Sequence, residues 1–176
     1  MIVVLNGGSS SGKTSIARCL KARLGPRWLS LSVDDFVDAL SGALWGAPEG
    51  LVIDDSGDVK PGADFRTLEA AWLAGVRAMS DAGAHLVLDD VFLDGGESQA
   101  RTAALLGDTD IVWVGVLCEA EIAAGREIAR GDRQAGMARK QAGRVHRGVV
   151  YDVEVDAGTN EAFDCAAAIA EFLRER

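Results

Sequence analysis

Two hydrophobic periods alternate along this chain. Short apolar-rich runs at Ile2–Leu5, Trp28–Val33, His85–Leu88, Ile111–Leu117 and Tyr151–Val155 read as strands. Between them, apolar residues recur three and four apart. Thr14–Leu24 shows this through Ile16, Cys19, Leu20 and Leu24, and Gly25-Pro26 ends it. The same spacing predicts helices at Asp34–Leu40, Ala63–Ala82, Ser98–Leu106, Ala120–Ala129, Ala135–Val145 and Glu161–Leu173. A break is expected at Gly131-Asp132. The strands are continuously apolar rather than alternating, which indicates a parallel sheet covered on both faces. The pattern predicts an α/β fold with a central five-stranded parallel sheet.

Ser41–Pro61 fits neither period. It holds Gly42, Gly46, Pro48, Gly50, Gly57 and Pro61 beside Trp45, Leu51 and Val52. It reads as a long loop, and long loops in compact domains are often functional.

Composition narrows the classes. The 176 residues suit one domain over 1–176, with no linker or repeat, and 48% apolar with 26% charged residues is ordinary for a globular chain. Net charge is −9 and no basic stripe is present, which argues against nucleic acid as a partner. No run approaches the roughly 20 apolar residues that cross a bilayer. The N-terminus has no basic leader with a cleavage site, so a cytoplasmic location without membrane association is expected. Cys19, Cys118 and Cys165 are widely spaced and read as reduced core thiols. His85 and His146 stand alone, without partners at zinc spacing. Association into a homo-oligomer stays open.

The first strand runs straight into Gly7-Gly8-Ser9-Ser10-Ser11-Gly12-Lys13-Thr14-Ser15, which matches G-x-x-x-x-G-K-[ST] at every fixed position. It opens a predicted helix, the context this motif requires. Small residues let successive backbone amides curl around a phosphate, and the helix N-terminus adds positive potential. Lys13 is expected to reach the outer phosphates of ATP and Thr14 to ligate Mg²⁺. The sheet then belongs to a three-layer sandwich of the P-loop NTPase type.

Two acidic pairs follow strands. Asp89-Asp90 comes after His85–Leu88, and ligand sites of open parallel sheets lie at that edge. Asp89 is expected on the metal side and Asp90 toward an acceptor, with turn or cap roles as the alternative. Asp34-Asp35 follows the second strand. Asp34 is placed to act as the base for an acceptor hydroxyl, whereas helix capping would suit either aspartate. Arg126, Arg130 and Arg133 would share one helical face. They are candidates for binding nucleotide and transition-state charge from a lid at about 126–140. The alternative is a solvated face paired with Glu127 and Asp132. Trp45 and Phe92 are either pocket wall or core.

The segments LNGGSSSGKTSIARCL, SLSVDDFVDAL, LVLDDVFL and GREIARGDRQAGMARKQAGRVHRGVVYDVEVD resemble the chloramphenicol phosphotransferase family of small P-loop kinases. The resemblance spans Leu5 to Asp156. It implies ATP-dependent phosphorylation of a primary hydroxyl of chloramphenicol or a similar antibiotic. It places the base at Asp34, the P-loop lysine and hydroxyl at Lys13 and Thr14, and the lid arginines in Arg126–Arg133. A kinase of another hydroxylated metabolite, and a nucleotide sensor without an acceptor, are the competing readings.

Overall fold

The computed structural model describes residues 1–131 and 136–176. Five strands, β1 (Ile2–Asn6), β2 (Trp28–Ser32), β5 (His85–Asp90), β6 (Ile111–Leu117) and β7 (Val153–Asp156), form one parallel sheet in the order β2-β5-β1-β6-β7. The helices among the described residues are α1 (Lys13–Leu24), α2 (Val33–Asp38), α3 (Ala63–Asp81), α4 (Gly96–Leu106), α5 (Ala120–Arg130), α6 (Met137–Arg144) and α7 (Ala162–Glu175).

β1 shows why the central strands carry no polar face. Val3 and Leu5 pack into the layer of α1 and α7 with Ile16, Leu20, Cys165 and Ile169. Ile2 and Val4 pack the other way, with Leu73 and Val76 of α3 and Leu106 of α4. All four β1 side chains are fully buried. Burial of each contributes about 1.5–3 kcal/mol, so a charge at any of them breaks the sheet at its centre.

The 41–61 segment is more ordered than its sequence suggests. A single 3₁₀ turn spans Gly42–Leu44, and β3 (Leu51–Ile53) pairs antiparallel with β4 (Val59–Pro61). Leu51 and Val59 pack with Phe36 and Phe65 in a separate small core. Two paired strands of three residues are marginal alone, so this hairpin depends on that core. It is too short for a period to show in the sequence. Elsewhere the differences are local. β5 runs on through Asp89-Asp90, and β7 starts at Val153 rather than at Tyr151.

Sheet register brings the polar motifs to one edge. Leu5 lies beside Asp89 and Asn6 beside Asp90, while Ser32 lies beside Asp89 on the other side. The P-loop, the end of β5 and the start of α2 therefore converge where β1 sits between β5 and β6.

Candidate active site

α1 begins abruptly. Gly12 at its N-cap has φ 105°, a left-handed backbone, and no side chain caps the first turn. The first-turn amides therefore face the loop that precedes them. Ser10 shares the unusual backbone, with φ 57°. The hydroxyls of Ser10 and Ser11 are buried without a hydrogen-bond partner, and Ser10 lies on the cavity wall. The Lys13 ammonium is buried as well, donating to the Gly8 carbonyl at 2.9 Å and standing 3.8 Å from Asp89. Buried amides, hydroxyls and an ammonium in one cradle fit a polyphosphate.

Thr14 Oγ1 donates to Asp89 Oδ2 at 2.7 Å. Asp89 is almost wholly buried. The pair offers one hydroxyl and one carboxylate to a hard cation. Among the described residues no cluster of three or more His, Cys, Asp or Glu side chains could hold a metal. A hydroxyl and a carboxylate are donor types that suit a hard, water-retaining cation such as Mg²⁺. Asp90 has a different setting. Its Oδ1 accepts from the Val91 amide at 2.7 Å. Loss of solvation pushes its carboxyl up to about 6, with Glu69 and Asp89 adding to the rise.

The two aspartates after β2 divide their roles. Ser32 and Asp35 form a capping box at the start of α2, with Ser32 N and Oγ donating to Asp35 Oδ2 and Asp35 N donating to Ser32 Oγ. Asp34 lies instead on the wall of the main cavity, which encloses about 600 Å³.

That cavity has two ends. Ser9, Ser10, Gly12, Lys13, Thr14, Ser15, Arg126, Arg130 and the loop 157–162 after β7 line one. Gly7, Gly8 and Ser11 are not on its surface. Gly7 backs onto the Val116 carbonyl, and Gly8 lies against α6. The other end has an apolar wall of Val37, Trp45, Leu51, Val59, Pro61 and Phe65, and a polar floor of Arg66, Glu69, Asp90, Ser98 and Arg101. Arg66 donates twice to Glu69, at 2.8 and 3.0 Å, and once to Asp94 at 3.2 Å. Phe92 is core, against Trp113, although it touches the cavity; Trp45 is half-exposed at its rim.

Arg126 joins the P-loop to the 157–162 loop, donating to the Ser11 carbonyl at 3.2 Å and the Ala157 carbonyl at 2.8 Å. Arg130 lines the cavity one turn further on. Arg133 and Asp132 lie outside the described residues. Glu127 is not on a solvated face: it is buried, and accepts from the amides of Gly136 and Ala138 at 2.8 and 2.7 Å. It thereby caps α6, a role that helical spacing on α5 gave no means of seeing.

Several residues escaped the sequence reading. Gln141, buried on α6, accepts from the Ser9 amide at 2.7 Å. Asn6, also buried, donates to the Val145 carbonyl and to Tyr151, and accepts from the Phe92 amide. Tyr151 Oη, which accepts from Asn6, also lies 2.6 Å from His146 Nδ1. Burial holds His146 below its ordinary pKa and pushes Tyr151 up to about 12. A polar Asn6 directly after the apolar run Ile2–Leu5 was the one available signal.

The fold and the sequence point the same way in comparison with known proteins. The model of the chloramphenicol phosphotransferase-like protein family matches residues 1–174. A Mycobacterium tuberculosis protein named "Putative O-phosphotransferase Rv2636" is 29% identical, over 97% of this chain and 80% of its own length. A sugar kinase from Janibacter sp. superposes with a TM-score of 0.71 at 18% identity, covering 98% of this chain and 94% of its own. Shikimate kinase from Acinetobacter baumannii gives 0.64 at 20% identity, covering 99% and 93%. The Mycobacterium tuberculosis APS kinase CysC gives 0.62 at 17%, covering 98% and 96%. The fold is that of P-loop kinases, and among the described residues no helix is long and apolar enough to cross a membrane. With a phosphate cradle at one end of its cavity and a match along nearly its whole length, this chain belongs to the chloramphenicol phosphotransferase-like family of P-loop small-molecule phosphotransferases.

Proposed function

We propose that the protein transfers the γ-phosphoryl group of ATP to a primary hydroxyl of chloramphenicol or a similar antibiotic, with Mg²⁺. The observation that carries this reading is one continuous cavity lined by Asp34 together with P-loop residues and the apolar side chains of Val37, Leu51 and Phe65. P-loop amides hold the phosphates, and Lys13 neutralises the outer ones. Thr14 and Asp89 would hold a Mg²⁺, which would supply neutralising charge to the phosphates. Asp34 orients the acceptor hydroxyl and takes its proton. The hydroxyl oxygen forms a bond to phosphorus as the bond to the ADP oxygen breaks, leaving a phosphate ester and ADP. Arg130, with Arg133, stabilises charge on the transferred group, and Arg126 holds the P-loop in shape for it. The aryl part of the acceptor packs against Trp45, Leu51 and Phe65.

A second reading keeps the chemistry and changes the acceptor. The charged floor formed by Arg66, Glu69 and Arg101 favours a more polar hydroxylated metabolite. One assay separates the two. The purified protein is given ATP, Mg²⁺ and either chloramphenicol or a panel of polar hydroxylated compounds. ADP release and the mass of the acceptor are followed. Acceptor-dependent ADP release with one added phosphoryl group on chloramphenicol supports the first reading. Unmodified drug beside a phosphorylated polar compound supports the second. No acceptor-dependent release at all removes both.

A further inference from the structure

One short helix contacts both the P-loop and the β3–β4 hairpin turn. α6 carries Gln141, whose Oε1 takes the Ser9 amide of the P-loop. One turn later it carries Arg144, whose Nη1 donates to Asp58 in the hairpin turn at 2.7 Å. Arg144 Nη2 stands 3.6 Å from Asp94 Oδ1. The other oxygen of Asp94 takes Arg66 at 3.2 Å and Arg101 at 3.4 Å, both of them on the acceptor floor. Lys140 Nζ donates to Ser56 Oγ of the same hairpin turn. Gly57 has no room for a side chain, because a Cβ there would lie 2.7 Å from the Met137 amide nitrogen. The start of α6 is fixed to α5 by Glu127, and the Val145 carbonyl just beyond its end is fixed to β1 by Asn6.

Gln141 and Arg144 are three residues apart on this helix and move together. Asp94 is shared between the acceptor floor and Arg144. An acceptor that engages Arg66 or Arg101 changes what Asp94 offers to Arg144, and the helix passes that change to Ser9. Resting on the phosphotransferase reading, we propose that Arg144 is a positioning residue that couples the acceptor end of the cavity to the P-loop through Gln141. Its ion pairs are partly exposed and so contribute little to global stability. Their effect is expected in nucleotide affinity instead.

The test is a double-mutant cycle read by calorimetric binding of a non-hydrolysable ATP analogue with Mg²⁺. Arg144→Ala should weaken binding roughly five- to twentyfold, in the usual range of coupling between sites, with the melting temperature nearly unchanged. In a Gln141→Ala background the same substitution should cost less than about twofold. Asp58→Asn, which leaves α6 intact, should reproduce part of the loss should Arg144→Ala fold poorly. Wild-type affinity in Arg144→Ala and Asp58→Asn, or losses that simply multiply with Gln141→Ala, overturns the coupling. A wild-type protein that fails to bind the analogue overturns the phosphotransferase reading itself.

Discussion

The two ends of the cavity are built by opposite means. The end proposed to hold phosphate is built mainly on one stretch of the chain, Ser9, Ser10 and Gly12–Ser15, with Arg126, Arg130 and residues 157–162 beside it. Its shape is held from behind, by Lys13 on the Gly8 carbonyl, Gln141 on the Ser9 amide and Arg126 on the Ser11 carbonyl. The end proposed to take the acceptor is lined by side chains of α2, the β3–β4 hairpin, α3 and α4, which meet only in the folded chain. The difference follows from the ligands. A phosphate has one shape and one sign of charge, so main-chain groups on a helix N-terminus suffice. An acceptor has to be told from other hydroxylated molecules, and only side chains provide that discrimination.

The sharpest way to break this division is at its boundary. Asp34→Asn keeps the size and removes the base, so transfer to the acceptor should fall by about 10²–10⁴-fold. Affinity for the ATP analogue should stay near wild type, since the phosphates are held by the P-loop. Equal loss of binding and turnover would place Asp34 at the phosphate end instead. Lys13→Ala acts from the other side. Turnover should fall by about 10²–10³-fold, as removal of one preorganised charge does. The apo protein should still melt cooperatively in the same thermal scan.

Trp45→Ala should sharpen the comparison rather than test its existence. Trp45 is half-exposed at the cavity rim and tied to the hairpin by a bridge to Leu51. Its loss should raise the acceptor KM by about tenfold, the scale of losing apolar contact in a pocket, with ATP KM unchanged. A shift in ATP KM alone would remove Trp45 from the acceptor wall.

The smallest effect lies behind the site. Burial holds His146 below its ordinary pKa, and its Nδ1 is hydrogen-bonded with Tyr151 Oη. Its folded pKa lies below its unfolded value, so the unfolded chain binds more protons once pH falls below about 6.5. Stability from this group is complete above that pH and is lost on acidification. The melting temperature should therefore drop between about pH 7.5 and pH 5.5, and drop less for His146→Phe. An identical drop in the variant would assign the pH dependence to other groups.

Legibility in the sequence followed the same division. The sheet, its covering helices and the P-loop were readable because each rests on a local period or a fixed spacing. The division of labour between Asp34 and Asp35 was not readable, since both suit a cap until Ser32 is seen to choose Asp35. Glu127 looked like a surface partner of the arginines and is a buried cap for the next helix. The hairpin inside 41–61 hid behind its glycines, because strands of three residues carry no detectable alternation.

By itself, the sequence determined that this chain makes an α/β sheet with a phosphate loop after its first strand, since both depend on neighbours in the chain. Only the tertiary structure decided what surrounds that loop. Gln141, Arg144 and the Arg66–Glu69–Asp94 group lie far from the motif in sequence. The parallel crossovers and the two-sided core bring those segments toward the same edge of the sheet. For the buried Gln141 and Asn6, burial makes the hydrogen bonds selective, because an unpaired polar group costs far more inside the fold than in the open chain.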